Sequence, residues 1–499
     1  MMRPSPSRGS AASAPRRRAL HRRGGLPACL LLTAVAGMLL SACAVGPDYV
    51  RPEVKTPDRF REAAQDWQPA QPADAAPRGP WWQAFQDPDL DQLQEAAAKA
   101  NQDIAIAEAH YRQAAASVDQ ERAAFFPTVS ASAGVTRSAN GTNGLKLPPA
   151  TLHQAQVSAS WVPDLWGSVR RGMEAAHANE ASSAALLANA VLSLQSELAT
   201  DYFSLRVADE QQRLLDEAVR AYQHSLDLTL SRYRGGVAAQ SDVAQARAQL
   251  EATKAQAIDV GIGRGQMEHA IAVLLGKTPE EFSIPPRPFV LRVPAVPAQL
   301  PAALLQRRPD VASAERLAAA ANAQIGVAQA AYFPSLTLSA SGGYRAPSGA
   351  NLLTSPFRFW SLGPTLAETL FDAGARSAVK QENIAAYDAA AATYRKTVLA
   401  ALQNVEDELL ALRLLAQESV VEDGAVAAAE ETLRLTNNQY KAGTVSYLNV
   451  IVAQTTALND HVTALNIRSR QLAATVQLFA GLGGDWNPDA GAPARAAAP

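Results

Sequence analysis

The sequence predicts a mainly α-helical protein that also carries membrane β-structure, built from two duplicated half-domains with coiled-coil hairpins. Three observations predict it. Landmark motifs return in one order at an offset of about 206–207 residues, too long for a solenoid repeat and suited to a duplicated half. The stretch Arg170–Tyr233 holds no proline and, after Gly172, no glycine, and its apolar residues fall at heptad spacing. Four segments, each of about ten residues, alternate apolar with small polar residues, the pattern of a strand that is wet on one side.

The duplication orders the elements. Ala124-Phe125-Phe126-Pro127 returns as Ala331-Tyr332-Phe333-Pro334, and Tyr233-Arg234-Gly235-Gly236-Val237 as Tyr440-Lys441-Ala442-Gly443-Thr444. Leu165-Trp166-Gly167 with Arg170 returns as Leu370-Phe371-Asp372 with Arg376. Each half reads helix, strand, strand, long helix, glycine turn, helix. In the first repeat, 43–277, a helix runs from about Asp89 to Ala124 and stops at Pro127. Strands follow at about 128–136 and 152–162, then a long helix over 170–233, a turn at Gly235 and Gly236, and a helix over 240–276. The second repeat, 310–484, copies this with strands at about 335–345 and 359–370, a long helix over 376–440, a turn at Gly443 and a helix over 446–481. Between them lies a proline-rich connector, 278–309, with one short strand expected at Phe289–Val293. The Ala/Pro/Gly-rich tail, 485–499, has the composition of disordered chain.

The long helices require partners. Arg170–Tyr233 would span ~96 Å at about 1.5 Å per residue, a length no compact core covers. Leu187, Val191, Leu194, Leu198 and Leu205 mark its seam, and Val398, Leu402, Val405, Leu409, Leu412 and Ala416 mark that of the second half.

The strands require partners too. Lipid cannot satisfy open backbone N–H and C=O groups, so a membrane sheet must close into a barrel. Single-chain barrels start at about eight strands, and this chain offers four. Several copies must pool strands, and a homotrimer gives a 12-stranded barrel. Trp161, Trp166, Tyr344, Phe359, Trp360 and Phe371, at the strand ends, would form the interfacial aromatic girdles.

Residues 1–42 read as an export signal. They carry seven arginines and no acid, then an apolar run from Leu26 to Leu40 that is short for a membrane span. Leu40-Ser41-Ala42-Cys43 looks like a lipoprotein cleavage box, which implies a covalent lipid on Cys43; Ala44, not aspartate, follows and favours the outer membrane. Without the leader, acids exceed bases by about nine, which speaks against a nucleic-acid partner. Cys29 lies in the leader, so no disulfide or cysteine metal site is available to the mature chain. His110, His153, His177, His224, His269 and His461 stand singly, and Gly261, Gly263 and Gly265 follow a helical stretch, not a strand. No enzyme site and no cofactor are expected.

With these residues in view, the chain resembles the outer membrane factor family, of the TolC and OprM type, and most its lipoprotein branch. The resemblance covers roughly Cys43 to Gly484. It rests on Cys43-Ala44-Val45-Gly46-Pro47-Asp48-Tyr49, on Trp81-Trp82 with Phe85 and Asp87-Pro88, on Arg307-Arg308-Pro309-Asp310-Val311, and on the duplicated turns. It implies a trimeric 12-stranded outer-membrane β-barrel continued by a 12-helix periplasmic α-barrel with an equatorial belt. It implies the exit duct of a tripartite efflux system, with a periplasmic adaptor (a membrane fusion protein) and an inner-membrane pump of RND, MFS or ABC class. The hairpin turns at Gly235, Gly236 and Gly443 would lie at a periplasmic gate and meet the adaptor. Asp242 matches the aspartate of the family's gate links and Tyr440 the gate tyrosine. The acidic-ring positions hold Asn449 and Val452, and the usual arginine position holds Val445, so fewer ionic links are expected. Two other readings compete: a type I secretion duct, and a non-conducting, surface-anchored trimeric coiled coil or adhesin.

Overall fold

The structure is a computed structural model that describes residues 44–54, 60–62, 80–139, 141–142, 145–146, 148–290, 292–294, 308–484 and 486. The leader, Cys43, the centre of the proline-rich connector and the tail from 487 lie outside the described residues.

A short 3-10 turn, Trp81–Phe85, precedes α1 (Pro88–Ala100) and α2 (Gln102–Ala123). Asp87 starts α1 by accepting the Asp89 N–H at 3.0 Å, with Pro88 at the first helical position. The single helix expected from Asp89 to Ala124 is broken at Asn101. Its backbone is extended, and its Oδ1 accepts the N–H groups of Asp103 (2.9 Å) and Ile104 (3.1 Å), so it starts a new helix rather than continuing the old one.

The rest of the first half follows the expected order: β1 (Thr128–Ser138), β2 (Ala150–Trp161), α3 (Ser168–Arg234) and α4 (Gln240–Leu274). The second half gives α5 (Pro309–Ala330), β3 (Ser335–Ala346), β4 (Arg358–Ala367), α6 (Ala375–Ala442) and α7 (Tyr447–Gly481). β4 ends before the expected residue 370. The strand expected at Phe289–Val293 is absent among the described residues of the connector. Pro285, Pro286, Pro288 and Pro294 crowd that segment, and proline has no N–H to give a ladder.

Both long helices begin the same way. Gly167 (φ 83°) and Gly374 (φ 91°) take left-handed backbone at the N-cap. Asp164 accepts the N–H groups of Val169 and Arg170, each at 3.0 Å, and Asp372 accepts that of Arg376 at 3.2 Å. The first-turn arginine closes each ring, Arg170 Nε at 3.1 Å and Arg376 Nε at 2.6 Å.

Helix packing fixes the layer. α3 packs along α4 and α6 along α7, while above them α3 lies between α2 and α5, and α6 packs on the other side of α5. α2 starts where α4 ends, and α5 where α7 ends. Asn101 Nδ2 donates to the Leu274 carbonyl at 3.0 Å, and Arg308 Nη1 donates to the Gly481 carbonyl at 3.2 Å. Each join satisfies a C-terminal carbonyl that a helix otherwise leaves open. The chain therefore forms four staves: α4 with α2, α3 alone, α7 with α5, and α6 alone.

Three apolar clusters hold the staves. At the waist, Trp81, Trp82, Phe85 and Leu90 cover Leu194, Leu198, Tyr202 and Leu205 of α3. Phe60 and Val311 pack on Val398, Val405 and Leu409 of α6. The heptad seam of α6 ends one residue early: Leu415 is buried and Ala416 exposed, because a straight helix drifts against a seven-residue repeat.

An ionic network ties the connector to the waist. Arg206, 1% exposed within the apolar seam, pairs with Asp209 (3.0 Å) and Asp89 (3.2 Å) and donates to the Pro285 carbonyl (3.1 Å). Arg264 pairs with Asp209 (2.6 Å) and Glu268 (3.0 Å), and Glu268 accepts the Ile284 N–H at 2.6 Å. Breaking a buried pair leaves a desolvated charge behind, so Arg206→Ala is expected to cost about 3–5 kcal/mol. The measurement is thermal unfolding with limited proteolysis. A lower melting temperature with early cleavage near 282–290 is expected; wild-type behaviour in both would contradict the assignment.

Candidate functional site

The two hairpin tips come together at one end of the layer. Gly236 (φ 74°) and Gly443 (φ 76°) adopt the left-handed backbone that reverses each helix, whereas Gly235 keeps negative φ and only closes the last turn. Behind the turns, Tyr222, Leu226, Val243, Leu250, Tyr440 and Tyr447 form one apolar cluster across all four helices.

Tyr440 is central to it. Its ring lies 5.3 Å from that of Tyr447, its hydroxyl meets Thr229 Oγ1 at 3.3 Å, and the Arg232 guanidinium sits 4.7 Å over its face. Arg232 also donates to the Lys441 carbonyl at 3.2 Å, so one side chain of the first tip holds the second. Burial and the neighbouring Tyr440 push the Tyr447 hydroxyl up to about 12, so it stays a neutral donor at physiological pH. Tyr222 donates to the Gln454 carbonyl at 3.1 Å, a further bond between the hairpins.

Asp242 does not meet Tyr440 in the described contacts of one chain. Its carboxylate accepts the Ala239 N–H at 3.2 Å and starts α4. Asn449 and Val452 are exposed, one turn apart on α7, away from Tyr447 and Val450. Val445 is half-buried and packs on the tyrosine cluster.

At the other end stands an antiparallel sheet of order β1-β2-β3-β4. Cross-strand partners share a face. Val129, Ala159 and Ala340 with Leu362 lie on one face, as do Ala131 with Val157 and Gly342 with Trp360. The other face is Ser130 with Ser158 and Ser341 with Ser361, and Ser130 bonds Ser158 at 2.9 Å.

The girdle residues divide. Trp161 (opposite Leu338), Tyr344 and Trp360 lie on the apolar face. Phe359 does not: it is paired with Gly343 and sits on the polar face, a consequence of the period of two that separates it from Trp360. Trp166 and Phe371 lie beyond the strands on the helix side. Trp166 stacks on Phe333 at 4.8 Å and donates to the Pro334 carbonyl at 2.7 Å; Phe371 is 86% exposed.

The N-terminal segment reaches this rim. The Val45 N–H donates to the Trp166 carbonyl at 3.1 Å, and Arg171 holds Asp48 at 2.8 Å. Gly46 (φ 109°) passes against Gly326, where a Cβ on either residue would collide. The residue after Cys43 is thereby fixed beside Trp166.

At the waist, the α5–α7 join borders a cleft of ≈ 640 Å³ that contains Glu197, Asp201, Arg308, Asp310 and Glu408. Burial, then the charge of Glu197, pushes Asp201 up to about 6. Burial and Asp407 raise Glu408 in the same direction.

Long helical hairpins joined to an open sheet with one apolar and one polar face define a subunit of a membrane channel. The model of the outer membrane efflux protein family matches residues 93–277 and 300–484. The chain is 30% identical over 472 residues to the probable efflux pump outer membrane protein TtgC of Pseudomonas putida, covering 93% of this chain and 96% of that one. It is 32% identical over 476 residues to the pyoverdine export outer membrane protein OpmQ of Pseudomonas aeruginosa, covering 91% and 96%. It superimposes on the outer-membrane channel OprN with TM-score 0.82 at 29% identity, over 89% of this chain and 99% of that one. This chain belongs to the outer membrane efflux protein family. Its place is the outer membrane of a Gram-negative cell, with the helices extending into the periplasm.

Sequence reasoning missed Arg232, the Asn101 and Arg308 joins, and the Asp201 cleft. Arg232 had a signal, standing one residue before the Tyr233 landmark. Asn101 and Arg308 occupy equivalent places in the two repeats but differ in type, which hides their common task.

The Asp201 carboxyl is neutral below about 6 and charged above it. Because folding raises its pKa from 3.8, its ionisation opposes folding at higher pH. Asp201→Asn is therefore expected to raise the melting temperature at pH 7.5 and to change it little near pH 4. An equal shift at both pH values would refute the titration.

Proposed function

We propose that three copies of this chain assemble into one duct that carries solutes from the periplasm to the exterior. The observation that carries this reading is the open sheet. Among the described residues, β1 and β4 each present an unpaired edge, and the face with Val129, Leu362 and Trp360 is exposed and apolar. Such a sheet is untenable in lipid unless its edges are paired by other copies. Three copies give twelve strands, and their twelve staves continue the barrel as a tunnel. The polar sheet face lines the pore and the apolar face meets lipid.

A lipid on Cys43 suits this placement. Ala44 is held beside Trp166, at the helix-side rim of the apolar face, where an acyl chain would enter the bilayer. Cys43→Ser is expected to abolish metabolic labelling with palmitate; retained label would remove the anchor.

The hairpin tips form the gate. Gly235, Gly236 and Gly443 present the turns to a periplasmic adaptor, and an inner-membrane pump supplies the energy. Asp242 caps α4 within its own chain, and its remaining acceptor capacity faces the neighbouring copy. Tyr440 holds the tip core, while Asn449 and Val452 line the narrow end without carboxylates. Adaptor binding releases the tips and the inner hairpins untwist.

Planar-bilayer recording tests this. Wild-type protein extracted as a trimer is expected to conduct weakly, and Asp242→Ala to conduct more. A monomer, or a trimer without conductance, would sink the duct. Unchanged conductance in the variant would remove Asp242 from the gate.

A further inference from the structure

The four strands carry three charged residues, all arginines: Arg137, Arg345 and Arg358. Register separates them. Arg137 (opposite Thr151) and Arg358 (opposite Tyr344) continue the apolar face. Arg345, opposite Gln154, lies on the polar face with Ser341 and Gly343. It is the one charged side chain on that face of the four strands, among the described residues.

The position is built. The Arg345 guanidinium lies 4.7 Å over the ring of Phe359, and Phe359 pairs with Gly343, two residues before Arg345 on β3. Gly343 carries no side chain to cover the ring, and a Cβ there would collide with the Ala155 carbonyl. The ring is therefore open to the cation from one side, and the cation–π contact holds the guanidinium against the wall. This also accounts for Phe359, a large aromatic on a face made mostly of serine, threonine, glutamine and glycine.

β3 runs away from the helices, from Ser335 beside the Trp166 rim to Ala346, so Arg345 stands near the end remote from the periplasmic tunnel. We infer that three copies of Arg345, each backed by Phe359, form a positive ring at the outer mouth that favours passage of anionic solutes. The inference rests on the trimeric duct reading. A twelve-stranded barrel with strands about 4.8 Å apart and tilted about 40° has a radius of about 12 Å. With the guanidinium held against the wall, an ion on the axis still passes within about 12 Å of all three, close to the Debye length of about 10 Å at 0.1 M salt. No acid on the strands offsets them. The acidic cleft of Glu197, Asp201 and Glu408 lies at the waist, far down the helices.

The test is the reversal potential of single channels in planar bilayers under a KCl gradient. Arg345→Ala is expected to lower the anion-to-cation permeability ratio on the order of threefold, and Arg345→Lys to keep most of it. Phe359→Leu, which frees the guanidinium but leaves its charge, is expected to give a smaller drop. The difference between wild type and Arg345→Ala is expected to shrink at about 1 M salt, where the Debye length is about 3 Å. Conducting Arg345→Ala channels with the wild-type reversal potential would overturn the ring while leaving the duct intact. Wild-type protein that never conducts would overturn the duct, and the ring with it.

Discussion

The structure depends on the saturation of backbone hydrogen bonds. A strand or helix end that faces lipid or a dry core must find a partner for each N–H and C=O. In this chain the rule acts at three levels. Asp164 and Asp372 close the first turns of α3 and α6. Asn101 and Arg308 close the last turns of α4 and α7. The sheet, whose outer edges no part of the described chain covers, leaves the same demand open. On the trimeric reading proposed above, oligomer and fold follow from one requirement, since a pooled barrel satisfies the edge strands.

How much of this was legible in the sequence depends on the range of the interaction. Periodicity reports which face of an element is buried, and it placed both long helices and all four strands within a few residues. It reads local order, so it could not show Asn101 breaking a helix, because that break is enforced by the distant Leu274 carbonyl as well as by the local cap. The parity of a strand is legible too, yet listing aromatics near strand ends grouped Phe359 with Trp360. Counting along β4 separates them, and the register puts them on opposite faces of the sheet. The gate positions came from resemblance. The tip core that supports them did not, because Tyr222, Tyr440 and Tyr447 are brought together only when both hairpins fold.

Duplication explains why the two halves perform one task with different chemistry. Asn101 and Arg308 both staple a helix end, but the arginine adds a charge, held by Asp310 at 2.8 Å, beside the carboxylates of the waist cleft. A cation there partly offsets Glu197, Asp201 and Glu408. At the first join the equivalent residue is neutral and buried in an apolar cluster, where an unpaired charge would be costly. Each copy of the half-domain has kept the hydrogen bond and adapted its donor to its surroundings.

If the tips form the proposed gate, their contacts suit a closed state that is stable and still reversible. A gate that switches between mostly closed and mostly open needs a differential of about 5.5 kcal/mol from its effector. The closing contacts must therefore total only a few kcal/mol per copy. The contacts seen are of that scale: a cation–π contact of about 0.5–2 kcal/mol at Arg232, and neutral hydrogen bonds of about 0.5–1.5 kcal/mol each at Thr229 and Gln454. A buried ion pair in their place would cost several kcal/mol to break. Val445, where the resemblance implies an arginine, fits this arithmetic. With Arg232 already bridging the hairpins from the other tip, the apolar residue at 445 packs on the tyrosine cluster and adds stability without another charge to release.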